Sequence, residues 1–338
     1  MNPITARPLF RVVVLLTLCL MPSVAAAQIP DFLYFYAFGD SLADNGNILI
    51  QTTALRLDPP VPPSATPHMA YDDGRFSNGR VAFEYLWQEI SGHPPGSRHA
   101  LKPFLAAPFS LNARAVNFAF GGTGTAYVDQ TPGCFWAPGL KGQVELFRLA
   151  LRGRKPARAL YAIVTGANDY SADACNVPMS PEGVVRNIEA AIASLYQLGA
   201  RDVIVLDLPD LGMIPANAGN PAASLISDAH NLEFDKAMVR LKARYPRLTL
   251  IPVKLNPLFT ALRLSMEWQI PLMATLPGAP PWIAACLFAP FGPASCIDMD
   301  SLFDSDMPFL FWDVVHPTTK AHSVLADYIY AHLEAEYE

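Results

Sequence analysis

Three residues that lie far apart in this chain could together perform nucleophilic catalysis. Ser41 lies in the stretch Phe38-Gly-Asp-Ser-Leu-Ala-Asp-Asn-Gly-Asn47, directly after an apolar run that is typical of a buried strand. A serine hydroxyl needs a base to remove its proton, and His316 is the best candidate. Asp313, three residues earlier, can reach the imidazole and stabilise its charged form. The three residues therefore predict a Ser-His-Asp triad.

Acyl transfer by such a triad also requires hydrogen-bond donors for the oxyanion of a tetrahedral intermediate. The glycines of Asn117-Phe-Ala-Phe-Gly-Gly-Thr123 offer backbone N–H groups, and Asn168 of Thr165-Gly-Ala-Asn-Asp169 offers a side-chain amide. Both segments end predicted strands. The sequence contains no dinucleotide fingerprint, phosphate loop, α/β-hydrolase elbow or His-Glu-x-x-His motif. We therefore expect neither a metal ion nor a cofactor.

The elements that must position these residues are predicted from an alternation of apolar runs with stretches of helical period. The clearest helix covers Pro181 to Leu198, with Ser180 as N-cap and Gly199 as its stop. Such alternation predicts an α/β fold, with a parallel sheet covered by helices on both faces. The predicted strands are 33–38, 115–119, 160–165, 203–208 and 248–253, and the other predicted helices are 80–90, 142–151, 221–245 and 318–335.

We predict one domain over residues 28–338, preceded by a cleavable signal peptide over residues 1–27. The leader has an apolar run from Val12 to Met21 and ends in Ala25-Ala26-Ala27, which is typical of secretory signals. The product is therefore expected to be secreted or periplasmic, without a transmembrane segment in the mature chain. Two stretches outside the alternation, 52–73 and 266–308, are interpreted as insertions. The second is rich in aromatic residues, and is either a lid or acyl groove or a packed elaboration of the core.

The net charge argues against one class of binding partner, and the cysteines allow disulfide bonds. The leader contains two of the 24 basic residues, so the mature chain has 22 basic and 30 acidic residues and a net charge of −8. This charge gives no basis for nucleic-acid binding. Secretion permits disulfides, and the mature chain keeps Cys134, Cys175, Cys286 and Cys296. Three pairings are open. We favour Cys286 with Cys296 and Cys134 with Cys175, and free thiols are the alternative.

The motifs around Ser41, the double glycine, Asn168 and His316, in this order and at this spacing, resemble those of the GDSL or SGNH hydrolases. The stretch Arg75-Phe-Ser-Asn-Gly-Arg80 further resembles the branch that includes plant GDSL esterase/lipases and secreted bacterial lipolytic enzymes. The resemblance implies a flavodoxin-like, three-layer α/β/α sandwich with a mainly parallel five-stranded sheet.

The resemblance also assigns roles to the candidate residues. Ser41 matches the nucleophile, whose backbone N–H also binds the oxyanion, and Asn168 matches the side-chain donor. Asp313 and His316 match the orienting acid and the base. The glycine donor is Gly122 or its neighbour Gly121, with Gly122 favoured by counting from Asn117.

These observations predict a serine esterase that works through an acyl-enzyme. The aromatic content of 266–308 favours a lipid or fatty-acyl ester, with phospholipid at a membrane surface as one candidate partner. A carbohydrate or cell-wall O-acetylesterase would need the same residues and stays open, as does acyl transfer to an alcohol. A third alternative is an inactive binding or adhesion module on the same fold, which would normally lack one of the site residues.

Overall fold

A computed structural model describes residues 29–64, 71–106, 113–130, 135–171, 177–217, 220–264 and 310–338. The leader, all four cysteines of the mature chain and the stretch 266–308 lie outside these residues. The signal peptide, the disulfide pairing and the lid therefore stay predictions. None of the described helices is both long and apolar enough to cross a bilayer.

Within the described residues, the centre of the fold is a six-stranded sheet in which every neighbouring pair of strands is parallel. The described strands are β1 (Tyr34–Gly39), β2 (Lys102–Pro103), β3 (Ala115–Asn117), β4 (Asp129–Gln130), β5 (Trp136–Ala137), β6 (Ala159–Val164), β7 (Asp202–Leu206) and β8 (Thr249–Val253). The sheet order is β2-β3-β1-β6-β7-β8, and β4 pairs with β5 in a separate antiparallel hairpin. Strand β1 therefore lies in the interior of the sheet, with β3 and β6 beside it.

All five predicted strands are present, and β2 is a sixth that the apolar pattern did not predict. It has only two residues, one of them proline, and it lies at the edge of the sheet next to β3. So short an edge strand needs no apolar run, because neither of its residues is buried.

The described helices of eight or more residues are α1 (Asn47–Ala54), α2 (Ala82–Ser91), α3 (Leu140–Leu151), α4 (Pro181–Leu198), α5 (Pro221–Arg244), α6 (Leu255–Leu264) and α7 (Thr319–Tyr337). Five of them correspond to predicted helices. Helix α4 has the predicted bounds, because the Ser180 hydroxyl accepts a hydrogen bond from the N–H of Gly183 and Gly199 ends the helix at a φ of 113°. Helices α1 and α6 were not predicted, and α1 runs into the supposed insertion at residue 52.

The sheet is covered on both faces, which makes three layers. On one face, β1 turns Tyr36 towards α3, where its ring centroid lies 4.8 Å from that of Phe147. On the other face, Phe35 stacks on Trp87 of α2 at 5.5 Å and an interplanar angle of 4°. Helices α3, α4 and α5 contribute to the first buried cluster, and α2 and α7 contribute to the second. This is the predicted three-layer α/β/α sandwich.

Candidate active site

The candidate site residues meet at the carboxyl edge of the sheet. Ser41 lies two residues beyond the end of β1, and Asn168 lies four residues beyond the end of β6. The double glycine follows β3. Because β3 and β6 flank β1 in parallel, the loops that leave these three strands are neighbours. His316 reaches the same edge from the loop before α7.

Ser41, His316 and Asp313 form a continuous hydrogen-bonded series. The Oγ atom of Ser41 lies 2.9 Å from Nε2 of His316, and Nδ1 of His316 lies 2.6 Å from Oδ2 of Asp313. Ser41 is 7% exposed and the His316 side chain 15% exposed. A nucleophile, a base and an orienting carboxylate at these distances have the geometry of an activated serine.

Four donors among the described residues hold the carboxylate of Asp313. Its Oδ1 atom accepts the backbone N–H groups of Val315 and His316 at 2.7 and 2.6 Å. Its Oδ2 atom accepts the hydroxyl of Tyr71 at 2.7 Å as well as His316. Burial would raise the pKa of Asp313, but the hydrogen bonds from His316, the charge of His316 and the Tyr71 hydroxyl outweigh burial and keep this pKa below its ordinary value.

Tyr71 was not predicted as a site residue. Burial and the adjacent carboxylate raise the pKa of its phenol, so the hydroxyl stays protonated and can donate. It lies in the stretch 52–73 that was interpreted as an insertion, and no local motif marks it.

The segment from Arg75 to Arg80 supports the loop that carries His316. The ring centroid of Phe76 lies 5.1 Å from that of His316. The Ser77 hydroxyl donates to the carbonyl of Pro317 at 2.9 Å, and Oδ1 of Asn78 accepts the N–H of Thr319 at 2.8 Å. The sequence motif had marked this segment without indicating a role for it.

The two glycines of the β3 loop differ in what their N–H groups do. The N–H of Gly121 donates to Oδ2 of Asp44 at 2.8 Å. No hydrogen bond of the Gly122 N–H is found within the described part of the chain, and Gly122 has a φ of 76°. The Asn168 amide uses one N–H to donate to the carbonyl of Thr123 at 3.0 Å, and no partner of its other N–H is found among the described residues.

Buried polar side chains fix these loops, and sequence reasoning missed them. Asp44 accepts the N–H groups at the start of α1 as well as that of Gly121, and burial raises its pKa to about 6. The Asn47 amide donates to two carbonyls of the β3 loop at 2.9 and 2.8 Å. Gln143 of α3 bonds both the N–H and the carbonyl of Gly39 at 2.8 Å. Asp44 and Asn47 lie in the same sequence stretch as Ser41, and this proximity is the one sequence signal that could have indicated their role.

A cleft of about 500 Å³ opens at this edge, and Ser41, Gly122, Asn168 and His316 all line it. A substrate in the cleft can therefore contact the serine, the imidazole and both remaining donors. No group of three or more histidine, cysteine, aspartate or glutamate residues among those described is arranged to hold a metal ion.

This chain is similar in sequence to the members of a known protein family. The family model described as GDSL-like Lipase/Acylhydrolase matches residues 35–329. A GDSL esterase/lipase of Arabidopsis thaliana is 24% identical over 349 aligned positions, which cover 92% of this chain and 93% of the relative. GDSL esterase/lipase 5 of the same plant is 25% identical, and the alignment covers 87% of this chain and 81% of the relative. A solved structure of an acetylxylan esterase mutant from Geobacillus stearothermophilus has a TM-score of 0.44 and 13% identity, covering 89% of this chain and 93% of that one.

Proposed function

This chain belongs to the GDSL-like lipase/acylhydrolase family and is a hydrolase of ester bonds, and we propose that Ser41 is its nucleophile, with His316 as base and Asp313 as the residue that orients the base. The observation that supports this proposal is the series of hydrogen bonds of 2.9 and 2.6 Å that links the three side chains, of which Ser41 and His316 line the cleft.

The reaction proceeds in two acyl-transfer steps. The Ser41 oxygen attacks the ester carbonyl while its proton passes to Nε2 of His316, which gives a tetrahedral oxyanion. The oxyanion collapses, the bond to the alcohol breaks, and His316 protonates the leaving oxygen. Water then attacks the acyl-enzyme with His316 again as base, and the acid is released as Ser41 regains its proton. Asp313 stabilises the imidazolium in both steps.

The oxyanion is held by the backbone N–H groups of Ser41 and Gly122 and by the free N–H of the Asn168 amide. Gly122 is assigned instead of Gly121 because the N–H of Gly121 already donates to a carboxylate. Donors that are fixed before the reaction cost no reorganisation when charge develops, which makes such a site a large contributor to the rate. The Thr123 carbonyl fixes the amide of Asn168 in this way.

The substrate class that we propose is a lipid or fatty-acyl ester. This choice is supported by the apolar side chains close to Ser41, such as Leu211 and Ile214, which line the cleft. An O-acetylesterase would use the same triad and donors, and a panel of acyl chain lengths separates the two. The inactive-module alternative is disfavoured because this chain belongs to a family of ester hydrolases. We also propose export as a secreted or periplasmic protein, supported by the leader motif; the mature N-terminus is then expected near Gln28.

The test of this function compares Ser41→Ala with Ser171→Ala, since both serines line the cleft. With p-nitrophenyl esters, Ser41→Ala is expected to lose several orders of magnitude in kcat, whereas Ser171→Ala should keep near wild-type turnover. A fluorophosphonate should label the wild-type protein at Ser41. Near wild-type hydrolysis by Ser41→Ala would rule out this mechanism.

A further inference from the structure

Two spaces meet at Ser41. One is the cleft described above, and the other is a pocket of about 130 Å³ that extends towards α6. Ser41 and Asn168 line both spaces, whereas His316 and Gly122 line only the cleft. The reacting centre therefore has two distinct sides, and only one of them carries the base and the glycine donor.

The chemistry of ester cleavage decides which part of the substrate occupies each side. The leaving oxygen has to reach Nε2 of His316, and the oxyanion has to reach the N–H of Gly122. Both groups therefore lie in the cleft. The acyl substituent is the third group on the carbonyl carbon, and the space left for it at Ser41 is the second pocket.

The walls of the second pocket suit a hydrocarbon chain. Helix α6 presents a stripe of apolar side chains at Leu255, Leu258, Phe259 and Leu262, which share one helix face. Phe311 from the loop before α7 also lines the pocket and packs against Phe259, with the two ring centroids 5.8 Å apart. No lysine, arginine or histidine is among the described residues that line this pocket.

Among the described residues that line the pocket, the charged and polar ones follow the ends of β1, β6 and β7, at the edge of the sheet. Asp40 and Asp207 lie at that edge. Each carboxylate is engaged with a backbone N–H, Asp40 with Leu42 at 3.0 Å and Asp207 with Leu255 at 2.7 Å. Thr165 lies with them. The acyl chain therefore leaves the carbonyl carbon and continues outward along α6.

We propose that this pocket binds the acyl chain of a medium-chain carboxylic ester of about eight carbons, an inference that rests on the proposed function of Ser41. The seven-residue step from Leu255 to Leu262 spans about 10 Å at about 1.5 Å per residue. An extended chain advances about 1.2 Å per bond, because three backbone bonds span about 3.5 Å. The apolar stripe on α6 is thus about as long as an extended acyl chain of eight carbon–carbon bonds.

The experiment measures kcat/KM for p-nitrophenyl acetate, butyrate, octanoate and palmitate. For the wild-type protein, kcat/KM is expected to rise about fourfold for each methylene up to octanoate, which corresponds to about 0.8 kcal/mol per buried methylene. Leu262→Trp fills the outer pocket and should lower kcat/KM for octanoate by about tenfold or more while acetate is hydrolysed as before. Leu232→Trp, at an exposed leucine of α5, is the matched control and should leave the whole profile unchanged.

Leu262→Ala keeps the test decisive if the tryptophan variant does not fold, because a longer pocket should move the optimum towards palmitate. A wild-type preference for acetate, or a profile that Leu262→Trp and Leu262→Ala both leave unchanged, would overturn the acyl pocket alone. In that case hydrolysis would still depend on Ser41. Loss of the Ser41 dependence for every ester would instead overturn the proposed function itself.

Discussion

Removal of the Asn168 amide tests the proposed oxyanion site most directly. The amide has two N–H groups, and one of them donates to the Thr123 carbonyl at 3.0 Å. One donor is thus left for the substrate, and the Thr123 contact fixes its direction. Asn168→Ala removes that single donor without touching Ser41, His316 or Asp313.

The expected fall in kcat follows from the loss of one N–H donor. Loss of one oxyanion donor costs about 100- to 1000-fold in kcat, or about 3–4 kcal/mol of transition-state stabilisation. Because the donor acts on charge that develops only in the transition state, KM should change little. Asn168→Asp preserves the shape of the side chain but lacks the N–H groups, so we expect a loss at least as large as for the alanine variant.

The assay is steady-state hydrolysis of p-nitrophenyl butyrate, with Asn187→Ala as the matched control. The Asn187 amide also donates to a threonine, Thr125 Oγ1 at 3.0 Å, but Asn187 is not among the described residues that line the cleft. Asn187→Ala should therefore keep wild-type kcat. If Asn168→Ala also keeps wild-type kcat, Asn168 is not an oxyanion donor and the reasoning is wrong.

Two further predictions concern residues that support the triad, and a third concerns the buried His322 of α7. Tyr71→Phe removes one hydrogen bond to Asp313, and because three other donors still hold this carboxylate, kcat should fall only about tenfold. Gly121→Ala would place a Cβ atom 2.1 Å from the Phe76 ring; the displaced ring should disturb the imidazole that it contacts and lower kcat about 100-fold. Burial lowers the pKa of His322 to about 3. Between about pH 3 and about pH 6.5 this histidine is therefore protonated in the unfolded chain but neutral in the folded protein. Each pH unit of acidification in this range should lower the free energy of unfolding by about 1.4 kcal/mol.

The Tyr71 and Gly121 variants are tested by kcat, and the His322 variant is tested by unfolding. Tyr85→Phe is the control for Tyr71, since its hydroxyl contacts Thr319 Oγ1 at 2.8 Å and not the triad; equal kcat values for the two variants would refute the role of Tyr71. For Gly121→Ala, an unchanged kcat in a folded protein would show that the Phe76 contact is dispensable. Denaturant unfolding at about pH 7 and about pH 5 tests His322, because His322→Phe should lose less stability on acidification than the wild type if this linkage holds.

The sequence by itself determined the parts of this protein that depend on local pattern. Continuous apolar runs predicted the five longer strands, because a strand buried on both faces must be apolar along its whole length. Helix α4 could be predicted to the residue because its period, N-cap and terminal glycine all lie within the segment. Short motifs likewise marked Ser41, Asn168 and the Asp313 to His316 segment as candidates.

Only the tertiary structure decided which residues support those motifs. Tyr71 bonds to a carboxylate 242 residues away, and Gln143 of α3 bonds to Gly39 across 104 residues. Such contacts depend on how loops from different strands meet at the sheet edge, and no local period or propensity encodes that. The same holds for the difference between the two glycines, because the N–H of Gly121 donates to Asp44, which is 77 residues away in the sequence. Motifs in the sequence marked the candidate groups. The parallel packing of β3, β1 and β6 brought Ser41, Gly122 and Asn168 to one cleft, and the loop before α7 brought His316 to 2.9 Å from Ser41.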